Sequence, residues 1–239
     1  MYDLRVADID FRLDYKYPTM LKQCEAYRVK EGESFKPVFG VAVADEGLEI
    51  FKNDNPNLSL NDCEYLLTGA VFYEKLIEYK GVMLHSSAVV VDGYAYLFSA
   101  SSGTGKSTHT GLWLKYFGDK AYILNDDKPA LRIIDGEVYA YGSPWSGKTD
   151  LNRNERVRIA GICFIERSEE NHIEKADTFD AFGRFFTQTV RPMGKESAEA
   201  FMKTVNEIFE NVPMYIMGCN MSLEAVETSY RAMTEGIKR

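Results

Sequence analysis

Residues 2–13 alternate apolar and polar positions, with Leu4, Val6, Ile9 and Phe11 on the apolar side, and this period of two predicts a strand. Residues 18–29 hold a short helix or a loop. Two further β-rich runs, 38–43 and 48–51, flank Asp45-Glu46-Gly47 and read as strands around a turn. Residues 53–58 form a polar, Asn-rich loop. Ser59 followed three residues later by Asp62 has the pattern of a helix cap. Beyond it Tyr65, Leu66, Val71, Phe72, Leu76 and Ile77 recur at helical spacing, so a helix is expected to run to Tyr79. No internal repeat or low-complexity segment is evident.

The texture changes at Gly81. Residues 87–91 and 94–98 are β-rich and joined by Asp92-Gly93, a dipeptide that tolerates the positive φ angles of a tight hairpin turn. A glycine-rich stretch follows, then a helix from Ser107 to about Phe117. Residues 121–124 read as a short apolar strand ending at Asn125-Asp126-Asp127. Asp135-Gly136 marks a second hairpin between 130–134 and 138–141. Residues 159–165 form a buried strand, 179–190 and 196–209 helices, and 214–217 a strand. Ser222 caps a last helix running toward Lys238. Strands, hairpins and helices interleaved in this way predict an α/β fold with a mixed sheet. The expected organisation is a small α/β region, residues 1–80, packed on a core, residues 81–239.

Composition narrows the function classes. The 239 residues are 45% hydrophobic and 27% charged, as in an ordinary globular protein. The formal net charge of -8, with no dense Lys/Arg run, argues against a nucleic-acid partner or an anionic membrane surface. Cys24, Cys63, Cys163 and Cys219 are scattered and lack a C-x-x-C pair, which argues against zinc and a disulfide framework. No apolar leader and no run of transmembrane length is present, so a cytoplasmic protein with reduced thiols, able to form a homo-oligomer, is expected.

The chemistry is concentrated in Ala100-Ser101-Ser102-Gly103-Thr104-Gly105-Lys106-Ser107, a phosphate-binding loop close to the G-x-x-x-x-G-K-[ST] pattern, with Ala100 in place of the first glycine. Gly103 and Gly105 let backbone N–H groups turn toward phosphate oxygens. The helix that starts near Ser107 and Thr108 points its positive end at the same anion. Lys106 can neutralise the β- and γ-phosphates, and the Ser107 hydroxyl can ligate Mg²⁺. These features predict binding of a nucleoside triphosphate, ATP with Mg²⁺. About twenty residues on, Asp126 and Asp127 close an apolar strand, where a carboxylate can hold the metal's water shell. Adjacent side chains on extended backbone point to opposite sides, so one can serve the metal and the other an acceptor. Asn-Asp-Asp is also plain turn chemistry.

His85 precedes the hairpin that leads into the loop and could orient a nucleophile or a carboxylate. His109 and His172 carry no assigned role. Gly142-Ser143-Pro144-Trp145-Ser146-Gly147-Lys148 could bind a second anion through Lys148, or could be a Pro-containing turn. Arg153, Arg156 and Arg191 are candidate phosphate clamps, though most arginines are solvated surface groups.

Residues from about Leu84 to Glu166 resemble the HPr kinase/phosphorylase family and, more distantly, phosphoenolpyruvate carboxykinase. The resemblance lies in His85, the Asp92-Gly93 hairpin, the Ser102–Ser107 loop and the Asp126-Asp127 pair, in that order. It implies a β-hairpin before the loop and a set of roles. Asp126 would be the general base that activates an acceptor hydroxyl, Asp127 the aspartate close to the metal, and His85 the histidine near that base. Ser102, Lys106 and Ser107 would hold phosphate and Mg²⁺. Thr108 stands where the family usually has an acidic residue, and the N-terminal part does not look like the family's regulatory domain. The activity implied is a kinase that transfers the γ-phosphate to the hydroxyl of a peptide, protein or small molecule. The alternatives are a carboxykinase-like enzyme acting on a small keto acid, and a non-catalytic nucleotide-dependent switch or scaffold.

Overall fold

The computed structural model describes residues 1–237. β1 (Tyr2–Val6) and β2 (Ile9–Leu13) pair antiparallel as a hairpin, not as the single strand expected over 2–13. The chain reverses at Ala7 and Asp8, with φ of 52° and 58°, the positive pair that suits a two-residue hairpin. The break is written in the spacing: Val6 and Ile9 stand three apart, and strict alternation needs two.

α1 (Pro18–Gln23) starts on proline, whose fixed φ suits a first helical turn. β3 (Gly40–Val41) adds in parallel to β2 and completes a three-stranded sheet. The run 48–51 is not a strand; it lies within α2 (Asp45–Asp54). Asp45 and Glu46 favour the positive end of that helix, and Ile50 stays 56% exposed, so no sheet face receives the run. α3 (Leu60–Leu76) begins with the reciprocal cap expected of Ser59 and Asp62. Ser59 Oγ accepts the Asp62 N–H at 3.1 Å, and Asp62 Oδ2 accepts the Ser59 N–H at 3.0 Å. Ser59→Ala is expected to cost about 1 kcal/mol. Urea titration reads this as a lower midpoint at constant slope; an unmoved midpoint would show that the cap carries no stability.

The remaining strands form one nine-stranded mixed sheet. They are β4 (Gly81–Met83), β5 (Ser86–Val91), β6 (Tyr94–Ser99), β7 (Ala121–Asn125), β8 (Ala130–Ile134), β9 (Glu137–Tyr141), β10 (Arg156–Arg167), β11 (His172–Lys175) and β12 (Met214–Cys219). β5 and β6 pair antiparallel through Asp92 and Gly93, and β8 and β9 through Asp135 and Gly136, all four with positive φ. β6, β10 and β12 run parallel, with Ser99 beside Phe164 and Arg167 beside Cys219. β7 lies antiparallel to β5. The carboxyl ends of β6, β7, β10 and β12 therefore share one edge, together with the start of β5. β4 and β11 are strands that periodicity missed. β11 places His172 on an edge against β12 rather than in a loop.

The helices of this part are α4 (Lys106–Phe117), α5 (Thr178–Thr187), α6 (Lys195–Asn211) and α7 (Leu223–Glu235). Ser222 stands at the start of α7, but its hydroxyl accepts from Asn171 Nδ2 at 3.1 Å instead of capping the helix. The helix ends at Glu235, short of the expected run toward Lys238, which itself lies outside the described residues. Apolar side chains of β1, β2 and α3 share a core with Ala130, Tyr141 and Trp145. Phe72 of α3 stacks on Trp145 at 4.8 Å, which fixes the N-terminal layer against the edge where the site forms. Among the described residues no helix is long and apolar enough to cross a membrane.

Candidate functional site

The loop between β6 and α4 is shaped by backbone rather than by space. Gly103 (φ 78°) and Gly105 (φ 127°) have nothing within 4 Å of where a Cβ would stand, so glycine is required there for its dihedrals. Lys106 folds back over the loop, and its Nζ donates to the Ala100 carbonyl at 2.7 Å and to that of Ser101 at 3.4 Å. Burial pulls its pKa below the ordinary lysine value, against the opposing charges of Asp127 and Asp126. Ser101, Ser102, Ser107 and Thr108 are exposed, with Thr104 half-buried beside them. From the end of β10, Arg167 donates to the carbonyls of Gly103 at 2.6 Å and Thr104 at 3.3 Å, tying the loop to the neighbouring strand.

A cleft of about 880 Å³ opens over this loop, and His85, Lys106, Ser107, Asp126, Asp127 and Lys148 all line it. The N-terminal layer closes its other wall with Lys22, Gln23, Asp62 and Tyr65. The two aspartates turn to different partners. Buried Asp126 accepts through Oδ1 from Ser87 Oγ at 2.6 Å, and that hydroxyl also lies 2.9 Å from Thr110 Oγ1 on α4. Among the described residues its second oxygen takes no side-chain hydrogen bond. Asp127 is crowded with donors: His85 Nε2 at 3.3 Å from Oδ1, Tyr65 OH at 3.1 Å from Oδ2, and the Lys128 ammonium. Desolvation pushes the Asp127 carboxyl up, but the His85 hydrogen bond and the Lys128 charge together outweigh it and hold the pKa at about 2.

His85 was expected beside Asp126; its ring meets Asp127 instead. The reason is strand geometry: Ser87, two residues along β5, occupies the Asp126 side, and His85 stands before the strand begins. Its other ring nitrogen lies 2.9 Å from Gln188 Oε1, which fixes the ring plane.

The outer arginines are not part of the cleft lining. Arg153 lies 4.1 Å over the Tyr122 ring, Arg156 pairs with Asp8 at 3.1 Å, and Arg191 stands 5.9 Å over Phe186. The segment around Trp145 is largely internal. Trp145 is fully buried and donates to Thr68 Oγ1 at 3.3 Å, and Ser143 Oγ donates to the Lys128 carbonyl at 2.8 Å. Only Gly147 and Lys148 from that segment reach the cleft. Sequence reasoning missed Tyr65, Ser87, Lys128 and Arg167. Of these only Arg167 carried a signal, as a cation at the carboxyl end of a strand, where open α/β sheets bind ligands.

The donor set fits Mg²⁺. Among the described residues no group of three or more His, Cys, Asp or Glu could hold a metal ion alone. Mg²⁺ characteristically takes one or two protein oxygens and completes its shell with water and substrate phosphates. The Ser107 hydroxyl and the two carboxylates supply oxygens of that kind.

No model of a known protein family matches the chain, and no curated protein matches its sequence. Among solved structures it is similar to one described as the Hpr(Ser) kinase/phosphatase from Coxiella burnetii, at 11% identity and a TM-score of 0.38, over 63% of this chain and 94% of that chain. A likeness of this size says nothing of activity.

Proposed function

We propose that the protein is a Mg²⁺-dependent kinase that binds ATP and transfers its γ-phosphate to a hydroxyl group. The observation that supports this is a single cleft lined by the Lys106–Ser107 end of the phosphate loop and by two carboxylates. A binding module needs the loop; a phosphotransferase also needs a base and a metal anchor within reach of the γ-phosphate.

On this reading Gly103, Gly105 and the start of α4 cradle the phosphates, with Ser101, Ser102, Thr104 and Thr108 at their margins. Lys106 leaves its carbonyl partners to neutralise the transferring group. Ser107 and Asp127 would hold Mg²⁺, which would supply positive charge against the phosphates. Asp126 is the better placed base, because one of its oxygens is oriented by Ser87 and the other is free to take the hydroxyl proton. His85 is a positioning residue that holds Asp127. Lys148 is the cation placed to meet the acceptor, which is a peptide, a protein or a small molecule.

The test is to mix the protein with MgATP and hydroxyl-bearing acceptors and follow products by mass spectrometry. Gain of one phosphoryl group on an acceptor, or slow Mg²⁺-dependent ATP hydrolysis without one, is expected. Absence of both, with MgATP still bound, would leave a binding protein and overturn the kinase reading.

A further inference from the structure

Gly147 opens a turn, residues 147–150, that lines the cleft. Its φ is 70°, and a Cβ there would stand 3.0 Å from Asp127 Cβ and 3.2 Å from Asp127 Cγ. Glycine answers both a dihedral and a lack of room, because the backbone of the turn lies directly against Asp127. What holds it there comes from the N-terminal layer. The Gly147 N–H donates to Tyr65 OH at 2.9 Å, and the Gly147 carbonyl accepts from Gln23 Nε2 at 2.9 Å. Asp150 pairs with Lys22 at 2.6 Å. On the far side of the turn, Tyr27 OH donates to Asn152 Oδ1 at 2.9 Å, and Asn152 Nδ2 donates to Ser146 Oγ at 2.8 Å.

Tyr65 is the centre of this contact, and its hydroxyl has no freedom left. The Gly147 N–H and, at 3.3 Å, the Lys128 ammonium can only donate, so both aim protons at the phenol oxygen. The single phenolic proton therefore goes to Asp127 Oδ2 at 3.1 Å. Burial, and after it the Asp127 charge, raise the phenol above the ordinary tyrosine pKa, so that proton stays in place. The residue is only 9% exposed. One buried oxygen thus joins Asp127 to the backbone of the turn that carries exposed Lys148. Among the described residues its hydrogen bonds reach neither Asp126 nor the loop between β6 and α4.

We propose that Tyr65 is a positioning residue whose hydroxyl clamps the Gly147 turn onto Asp127, and so sets where Lys148 and Asp127 stand relative to each other. The N-terminal layer is then a working part of the cleft rather than a cover over it. The proposal rests on the kinase reading, in which Asp127 holds the metal and Lys148 meets the acceptor.

Tyr65→Phe keeps the ring and removes the clamp. Gln23→Met guards against a Tyr65 variant that fails to fold. It releases the Gly147 carbonyl, and it also removes Gln23 Oε1, a buried oxygen without a partner among the described residues. Hydrogen exchange read by mass spectrometry on the full chain should show residues 145–150 exchanging about tenfold faster or more in both variants. Calorimetry should give both nearly the wild-type affinity for MgATP, because the phosphate loop is untouched. MgATP hydrolysis, with water as acceptor, should keep its KM and lose about 10- to 100-fold in kcat in Tyr65→Phe, with a smaller loss in Gln23→Met. A tyrosine that only supports the fold would lower the melting temperature and leave kcat per folded molecule unchanged. That result, or unchanged exchange at residues 145–150 in the folded variants, would overturn the proposal. A wild type that binds MgATP but neither hydrolyses it nor transfers its phosphate would instead remove the kinase reading, and this proposal with it.

Discussion

Asp126→Asn is expected to slow phosphoryl transfer by about 10²- to 10⁴-fold, roughly 3–5 kcal/mol of barrier, with MgATP affinity nearly intact. Asn keeps the size of Asp126 and can still accept from Ser87 Oγ through its carbonyl oxygen, so the buried contact at 2.6 Å survives. What it loses is the second oxygen as a proton acceptor. Asp127→Asn should behave differently. His85, Tyr65 and the Lys128 ammonium already occupy its oxygens, and a carboxyl held at about 2 has little appetite for a proton. Removing its charge should raise the Mg²⁺ concentration needed for half-maximal rate. Single-turnover rates across a Mg²⁺ series separate the two variants. Wild-type turnover in Asp126→Asn sinks the base assignment. Exchanged phenotypes would make the His85–Asp127 pair the proton acceptor and move the metal to Asp126.

Local signals in the sequence found local structure. Asp92-Gly93, Asp135-Gly136 and the Ser59/Asp62 cap each act within four residues, and each forms as the pattern says. The glycine turn between β6 and α4 was legible for the same reason. Failures arise where a short apolar run fits either period. Residues 48–51 alternate well enough for a strand, and the acidic pair before them decides for a helix by its effect on the helix dipole. β11 is an edge strand of mostly exposed polar residues, so no burial pattern marks it. The site was half legible. Asp126 and Asp127 could be found from their place after an apolar strand. Their partners could not, because Tyr65 and Ser87 arrive from 62 and 39 residues away. Pairing of His85 with one aspartate rather than the other depends on where β5 begins, and a shift of one residue exchanges the faces. Outer arginines failed as candidates because abundance of charge says nothing about direction; Arg167, which grips the loop carbonyls, differs from Arg153 in the sequence only by its place at the end of an apolar strand.

Lys106→Met should weaken MgATP binding by roughly 30- to 1,000-fold, about 2–4 kcal/mol, while leaving the fold in place. Met keeps the apolar stem and the helix propensity of the first turn of α4, and it removes only the ammonium. In the free protein that ammonium is largely buried and donates to the carbonyls of Ala100 and Ser101. Its loss leaves those carbonyls short of a donor, a stability cost of about 1–3 kcal/mol that does not depend on nucleotide. With nucleotide bound, the β- and γ-oxygens face the two carboxylates without a protein cation between them, so a separate penalty falls on binding and on the transition state together. Adding Mg²⁺ in excess should recover part of the affinity and little of the turnover, because a metal can screen the charge but cannot reproduce the position of Nζ. Titration calorimetry, with circular dichroism as the check on folding, reads the effect. A folded Lys106→Met protein that binds MgATP as the wild type does would mean that the loop does not hold the triphosphate, and the cleft would then need a different ligand.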